Sequence, residues 1–217
     1  IAGYSTLTKT KSINLQNSIL NSFVKSKFKK AFIYSDCWVE DSRLVVLNAV
    51  DAKKMGANIL TRTKVINFTK KGSLWSVTTK NKKGEIHEHL CKCIVNASGP
   101  WVENINQYIS LKSAYSTRLI KGSHLVVDKL FDHNHAFFLT GKDGRIIFVI
   151  PFQDEFSLIG TTEVDHQNIE IKPKCSDEET NYLLNFINSY FSFNLKKDQI
   201  ISTFSGVRPL YNKKKTA

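Results

Sequence analysis

The chain lacks any apolar run long enough to cross a lipid bilayer, which excludes an ordinary transmembrane helix from these 217 residues. Its first residues contain no apolar stretch of the kind found in signal peptides, so we predict no cleavable signal there. None of its four cysteines forms a CxxC pair. We therefore expect reduced thiols, in a cytosol-like compartment, at Cys37, Cys91, Cys93 and Cys175.

Arginine is scarce in a chain whose formal net charge is +12. Of its 31 basic residues, five are arginines: Arg43, Arg62, Arg118, Arg145 and Arg208. The others are lysines, scattered along the chain among many Asn and Ile residues. Dispersed lysine is typical of a solvated surface, so we interpret the charge as compositional and predict no nucleic-acid partner.

One pattern of histidine and cysteine resembles a metal motif. Residues His87, His89, Cys91 and Cys93 alternate with other side chains. In a strand they would share one face, with the outer two roughly 20 Å apart at about 3.3 Å per residue. A zinc ion needs its ligands at about 2.0–2.3 Å. We therefore predict a plain strand and no metal site.

The first half of the chain is predicted to contain one helix and a β-meander. Residues 1–35 are polar and basic with weak periodicity, which indicates loop and short helix with little core. Residues 41–56 are predicted to form a largely buried helix, because apolar side chains cover much of its surface, and Gly56 should end it. Three strands then follow, with Gly72 and Gly84 in the turns, at 58–68, 73–80 and 85–95.

The second half is predicted to be rich in strands, at 117–128, 136–140, 145–152 and 156–162. Ser176 and Glu179 form a capping-box pattern, which predicts the start of a helix whose apolar face extends to Phe191. A last strand at 198–205 is expected to stop before Pro209, since proline is excluded from the interior of central strands.

The order of these elements predicts the fold class. Helix, meander, mixed sheet, helix and strand indicate an α+β, or α/β, arrangement of two interleaved parts. One part would comprise residues around 36–105 together with the end of the chain. The other would comprise residues around 110–200.

Small residues follow the end of an apolar strand in the segment 96–101. Small side chains let a cofactor approach backbone N–H groups closely, and they equally suit a tight turn that binds nothing. Residue types alone leave both interpretations open for Ser98, Gly99 and Pro100.

Cationic residues gather around Gly122. Arg118, Lys121 and His124 lie within seven residues of one another, a pattern that suits a phosphate or a carboxylate. His124 titrates near neutrality and so suits an acid or a base, although a histidine alone also fits a purely structural position.

Two more arginines stand at points where the chain is constrained. Arg145 opens a run too apolar to be exposed, which predicts a position at the mouth of a pocket. Arg208 follows a strand and a glycine directly and precedes Pro209. A cation held this rigidly suits an anionic substrate or a developing alkoxide.

Seven blocks of sequence carry a family resemblance: YSDCWVEDSRLVVLNAVDA, ILTRTKV, IVNASGPWV, RLIKGSHLVV, RIIFVIPFQDEFSLIGTTEVD, YLLNFINSYF and SGVRPLY. In order and spacing they resemble the aerobic, flavin-dependent glycerol-3-phosphate dehydrogenases. The resemblance covers nearly everything from Ala31 to Tyr211, and all five arginines lie inside it. KGSH, IGTT and SGVRP in combination are far more specific than any single block.

The resemblance implies part of a two-domain FAD-dependent oxidoreductase fold, in which a FAD-binding domain is interleaved with a sheet-rich substrate domain. It implies that sn-glycerol 3-phosphate is oxidised to dihydroxyacetone phosphate with FAD as cofactor, and that electrons pass to the quinone pool. It also implies a peripheral position on the cytoplasmic face of a membrane, with the fragment alone cytoplasmic. The matching domains are a lead-in at 1–35, a partial FAD-binding domain at 36–108, a substrate domain at 109–200, and a return toward the FAD-binding domain at 201–217.

The resemblance also assigns roles to individual residues. His124 and Arg208 match catalytic residues of the substrate pocket, without deciding which of them acts as base. Substrate contacts are expected at Lys121, Arg145 and Thr161. Cofactor contacts are expected at Ser98, Gly99, Pro100, Gly122 and Ser123.

The sequence departs from the family pattern at both ends. It contains no G-x-G-x-x-G turn for the FAD pyrophosphate, and it ends in KKKTA where the family continues into a Gly-rich segment. We therefore expect an internal fragment, inactive and unable to retain FAD alone, that needs a complementing chain for the absent flavin-binding segments. The alternatives are a non-catalytic remnant or split-gene piece, and a related flavin amine or amino-acid oxidase, which KGSH and SGVRP disfavour.

Overall fold

The computed structural model describes residues 7–109 and 115–213. They fall into two compact units, one formed by the described parts of Ile1–Ile13 and Lys30–Val95, the other by those of Asn14–Lys29 and Asn96–Ala217. The predicted lead-in is therefore shared between the two units. The assignment of FAD-binding and substrate roles to the predicted domains stays a prediction.

The first unit contains two small sheets and one helix. Strands β1 (Lys11–Asn14) and β2 (Lys30–Ile33) pair with each other. Helix α1 spans Asp41–Lys54. Strands β3 (Thr63–Lys71), β4 (Leu74–Asn81) and β5 (Ile86–Cys91) form the predicted antiparallel meander, with both predicted turn glycines at positive φ. The predicted outer strands were too long, since β3 starts at Thr63 and β5 ends at Cys91.

Helix α1 confirms the predicted helix, and its C-terminal cap is a Schellman motif. Gly56 has φ +97°, its N–H donates to Lys53, and the N–H of Ala57 donates to Ala52. The prediction that this helix is largely buried was wrong: within the described chain none of its residues is buried. Its apolar side chains are exposed because no described element covers them, as for Leu44, Val45, Val46, Leu47 and Val50.

A six-stranded antiparallel sheet dominates the second unit. After a short helix α2 (Val102–Tyr108) come β6 (Tyr115–Asp128), β7 (Phe137–Thr140), β8 (Ile146–Phe152), β9 (Phe156–Gly160) and β10 (Val164–Asp165). The chain then forms helix α3 (Asp177–Tyr190) and ends in strand β11 (Ile200–Lys213). β9 and β10 pair with successive parts of β6 on one side, and β11 pairs with β6 on the other.

One face of this sheet carries the core of the unit. Side chains that alternate along β6, β8 and β9 point to the same side and are buried: Leu125, Val127, Ile147, Val149 and Ile159. Helix α3 covers them with Leu183, Leu184 and Ile187. The predicted capping box at Ser176 and Glu179 is present and starts this helix. No helix among the described residues is both long and apolar enough to cross a membrane.

Strand β11 corrects the predicted end of the last strand. Its ladder with β6 runs on through Arg208, opposite Ile120, and Pro209, opposite Leu119. Proline is tolerated there because β11 pairs only with β6 among the described residues, and an edge strand can dispense with one backbone donor. Residues 201–213 therefore extend the sheet of the second unit.

Candidate active site

The face of the six-stranded sheet opposite helix α3, called the open face below, brings His124 together with two residues of neighbouring strands. His124 on β6 lies between Gly160 on β9 and Phe204 on β11 in the ladder. The His124 and Phe204 rings stack, with centroids 4.8 Å apart and planes at 12°. A Cβ at residue 160 would come within 2.3 Å of the His124 Cδ2 atom, so a glycine is required for the ring to lie there.

The electrostatic surroundings of His124 favour its neutral form. Burial lowers the pKa of the imidazole, and the positive charge of Arg208 lowers it further. The Nδ1 atom is buried and has no hydrogen-bond partner among the described residues. The ring is therefore uncharged at neutral pH and is available as a proton acceptor.

Arg208 stands beside an acidic residue at the edge of the same face. Phe204 and Arg208 are four positions apart on β11, so their side chains share one side of the strand. The Arg208 Nη2 atom lies 3.5 Å from Glu163 Oε1, and both side chains are about half exposed. A long, exposed contact of this kind contributes little stability, which leaves the guanidinium able to bind another anion.

Two paired glycines make a shallow trough next to His124. Gly122 on β6 faces Gly206 on β11. The Thr161 Oγ1 atom lies 2.3 Å from the position that a Cβ of residue 122 would take, whereas the space beside Gly206 is open. A flat group can therefore approach the backbone at Gly206, with Thr161 along one side.

Lys121 and Ser123 point to the opposite, helix-covered face. The Lys121 Nζ atom lies 2.7 Å from Glu179 Oε2 and donates to the Lys174 carbonyl oxygen at 2.7 Å. The Ser123 hydroxyl donates to Glu179 Oε1 at 2.8 Å. The predicted cluster of Arg118, Lys121 and His124 is therefore not formed, since Lys121 is an odd number of positions from His124 along β6 and points to the opposite face.

The remaining cations of the sequence prediction have partners elsewhere. Arg118 makes a two-pronged contact with Asp165, at 2.6 and 2.7 Å. Arg145 lies in the turn before β8, where its guanidinium stands 5.6 Å from the Tyr182 ring centroid and 3.7 Å from Asp143. Neither residue is brought to His124 by a described contact.

The predicted cofactor segment forms a tight turn in the second unit. Gly99 has φ +56° and no atom within 4 Å of the position of a Cβ. Ser98 Oγ donates to Asn96 Oδ1 at 2.7 Å, which fixes the turn, and Pro100 lies in a single 3₁₀ turn, Gly99–Trp101, that packs near β11. The open backbone at Gly99 thus stands on the same unit as His124.

Several residues that shape this site were given no role of their own by reasoning from the sequence. Gly160 and Phe204 could have been found by pairing the predicted strands, because a glycine inside a strand often marks a close approach. Glu163 follows the IGTT block directly and shows no pattern of its own. Glu179 was recognised only as a helix cap.

Comparisons with known proteins show the family of the chain. A family model described as FAD dependent oxidoreductase matches residues 12–216. A glycerol-3-phosphate dehydrogenase of Pseudomonas tolaasii is 42% identical over 193 residues, which cover 88% of this chain and 38% of the relative. A D-erythritol 1-phosphate dehydrogenase of Brucella abortus is 36% identical over 214 residues, which cover 98% of this chain and 43% of the relative.

One solved structure has a similar fold. The glycerol-3-phosphate dehydrogenase of Bacillus halodurans complexed with FAD superposes with a TM-score of 0.80 at 28% sequence identity. The superposition covers 94% of this chain and 45% of the other. The chain therefore spans about two-fifths of the length of the curated relatives that it matches.

Proposed function

Because the chain belongs to the FAD dependent oxidoreductase family, we propose that it forms part of an enzyme that oxidises sn-glycerol 3-phosphate to dihydroxyacetone phosphate. Relatives named glycerol-3-phosphate dehydrogenase support this proposal. The observation that carries it is the convergence of His124 and Arg208 on one open face, where the Arg208 charge helps to keep the imidazole neutral.

Several residues of the second unit fit a flat, polar cofactor such as FAD. The backbone beside Gly206 is open, and so is the backbone at the positive-φ residue Gly99. The buried Nδ1 atom of His124 lacks a partner among the described residues. We propose that Ser98, Gly99 and Pro100, together with the Gly122–Gly206 trough, hold FAD. When bound, FAD supplies the acceptor for the hydride that leaves the substrate.

The reaction requires two functions from the residues of this chain. The substrate must be oriented through its phosphate, and the proton of the hydroxyl that is oxidised must be accepted. We assign the first task to Arg208, whose planar guanidinium offers two parallel donors to an oxyanion. His124 is the base in this proposal, because its lowered pKa keeps it neutral and an arginine cannot give up its proton under ordinary conditions.

We propose that Thr161 contacts the substrate from the side. Its hydroxyl donates to the Thr162 carbonyl oxygen at 3.1 Å and lies over Gly122, at the edge of the trough. Lys121 is already paired with Glu179 on the other face, and Arg145 contacts Asp143 and Tyr182. We therefore propose direct substrate contacts for Thr161 and Arg208, and none for Lys121 or Arg145.

Further parts of the proposal rest on the family resemblance. They are electron transfer to the quinone pool, a peripheral position on the cytoplasmic face of a membrane, and flavin contacts from residues outside this chain. A membrane fraction from the source cells would test the first two, through reduction of an added quinone by glycerol 3-phosphate.

The central proposal can be tested in a full-length enzyme. The matching segment of the Pseudomonas tolaasii relative is replaced by this chain, the protein is purified with FAD, and reduction of an artificial electron acceptor is measured. We expect turnover with glycerol 3-phosphate, and a fall in kcat/KM of about 10²–10³-fold in Arg208→Lys, because lysine cannot make the two-pronged contact. Lys82→Ala, at an exposed lysine of the meander, is the matched control.

Two outcomes would contradict this assignment. Arg208→Lys with the kcat/KM of the parent would exclude a direct role for Arg208. Turnover of D-erythritol 1-phosphate in preference to glycerol 3-phosphate would replace the proposed substrate, since one relative bears the name of that activity.

A further inference from the structure

We infer that Glu179 and Lys121 are positioning residues that hold His124 and the neighbouring Phe204 and Thr161 in place from the opposite side of the sheet. This inference rests on the proposed function of His124. The group that acts is the Glu179 network, defined as Glu179, Lys121, Ser123, Thr162 and Ser205.

The Glu179 network saturates one buried carboxylate. Oε1 accepts from the Ser123 hydroxyl at 2.8 Å and from the Thr162 hydroxyl at 2.7 Å, and Oε2 lies 2.7 Å from Lys121 Nζ. Ser123 and Ser205 share a further hydrogen bond between their hydroxyls at 2.8 Å. The backbone N–H of Ser123 also donates to Thr162 Oγ1 at 2.9 Å. These contacts join β6, β11 and the segment after β9 to the first turn of α3.

Three residues of the Glu179 network are adjacent in sequence to residues of the candidate active site. On β6 and β11 a network residue is directly followed or preceded by a site residue, whose side chain points to the other face of the sheet. Ser123 precedes His124, and Ser205 follows Phe204. Thr162 follows Thr161. The network therefore ties together β6, β11 and the segment after β9, which carry His124, Phe204 and Thr161.

Burial makes this arrangement sensitive to the loss of any partner. The side chains of Glu179 and Lys121 are only 5% and 13% exposed. Burial raises the pKa of Glu179, but the hydrogen bonds from Lys121, Thr162, the Ser176 backbone and Ser123 outweigh it and lower the pKa to about 2. Removing one partner leaves an uncompensated buried charge, so the strands have to move to restore solvation.

The network is distinct from the rest of the covered face. The other side chains that α3 covers are mostly aliphatic or aromatic, and such packing stabilises a sheet without any ion pair. Polar contacts add directional constraints that apolar packing does not, which is useful where side-chain placement has to be accurate. Their position behind His124 therefore favours a positioning role over one in stability alone.

The test is an NMR titration of His124 in the full 217-residue chain, with the His124 signal assigned by its loss in His124→Gln. We expect Glu179→Gln to raise the pKa of His124 by roughly half a unit, toward its ordinary value, since a loosened strand exposes the ring to water. Contacts between the His124 and Phe204 rings in the NOE spectrum should weaken in the same variant. Ser176→Ala, which removes the side-chain cap of α3 but keeps the carboxylate, should leave both readouts unchanged.

A second pair of variants separates positioning from a simple effect of charge. A field effect alone predicts that Glu179→Gln lowers the pKa of His124, that Lys121→Met raises it, and that the double variant restores it. Positioning predicts a raised pKa in all three. Three outcomes would overturn the inference. They are pKa shifts of His124 that follow the field-effect prediction, an unchanged pKa of His124 in Glu179→Gln, and an equal pKa shift in Ser176→Ala.

A milder variant covers the case in which Glu179→Gln does not fold. Ser205→Ala deletes one hydroxyl and its hydrogen bond to Ser123, and the same criteria then apply to it. The outcome is also independent of the proposed activity. A full-length enzyme that does not oxidise glycerol 3-phosphate would refute the proposed function, while a His124 that responds to Glu179 would still show the positioning.

Discussion

Helices α1 and α3 have the same length and opposite surroundings. Each has 14 residues, yet α1 has no buried residue and α3 has five. The segment Leu44–Val50 of α1 is rich in apolar residues, but only α3 lies against a sheet among the described residues. Burial therefore depends on an available partner surface, which local sequence does not specify.

The same contrast between partnered and unpartnered groups recurs at smaller scale. Gly160 has the His124 ring packed against it, whereas Gly206 faces open space. Glu179 has four hydrogen-bonding partners, whereas the exposed Glu170 side chain has none described. Each pair allows a substitution at the partnered position to be compared with the same substitution at the unpartnered one.

The largest difference in stability is expected between two leucine-to-alanine substitutions, one in each helix. Leu183→Ala removes a fully buried side chain of α3 and should lower the free energy of unfolding by about 2–5 kcal/mol. Leu47→Ala on α1 should change it by less than about 0.5 kcal/mol, because that side chain is already exposed. Urea denaturation of the two variants measures both values. Equal losses would mean that α1 is covered in solution.

The next effect concerns acid stability. The pKa of Glu179 is about 2 in the folded chain against 4.5 as its ordinary value, so its contribution is fully present above pH 4.5 and is lost as the pH falls toward 2. The loss should be at most about 3 kcal/mol. Glu179→Gln should be less stable than the parent at pH 7 but should lose less between pH 4.5 and 2.

Thermal melts over that pH range test this expectation. Glu170→Gln, at an exposed glutamate, serves as the control and should follow the pH dependence of the parent. If Glu179→Gln loses stability as steeply as the parent does, other carboxylates account for the acid sensitivity.

A smaller effect is expected from the two glycines of the open face. Gly160→Ala places a Cβ within 2.3 Å of the His124 ring and should cost about 1–3 kcal/mol of stability while displacing the ring from Phe204. Gly206→Ala meets no atom within 4 Å and should be nearly neutral. Denaturation midpoints and the ring contacts in NOE spectra report both changes. A neutral Gly160→Ala would contradict the placement of His124.

Much of the fold followed from the sequence because its signals are local. The capping box of α3, the glycine turns of the meander and the strands of the central sheet were confirmed. The extent of β11 was mispredicted, since the position of Pro209 at a sheet edge depends on strands far away in the chain.

The candidate site was predictable only in part, for a related reason. His124 and Arg208 were singled out by residue type, and the ladder of β6 and β11 brings them to one region. Lys121 was grouped with His124 because the two are close in sequence. In a strand, however, residues an odd number of positions apart point to opposite faces. Its partner Glu179 is 58 positions further along the chain, so only the fold could reveal the pair.

The smallest effect is expected on the exposed side of α1. Val45→Lys should change the free energy of unfolding by less than about 0.5 kcal/mol, because Val45 is 68% exposed and lysine favours helix slightly more than valine does. Its main consequence should be weaker self-association, since several large apolar residues of α1 are exposed. Light scattering over a concentration series measures this, with Lys53→Ala on the same helix as the control. If Val45→Lys and the parent associate equally, the apolar side of α1 is not what brings chains together, and the contrast with α3 would then be one of burial alone.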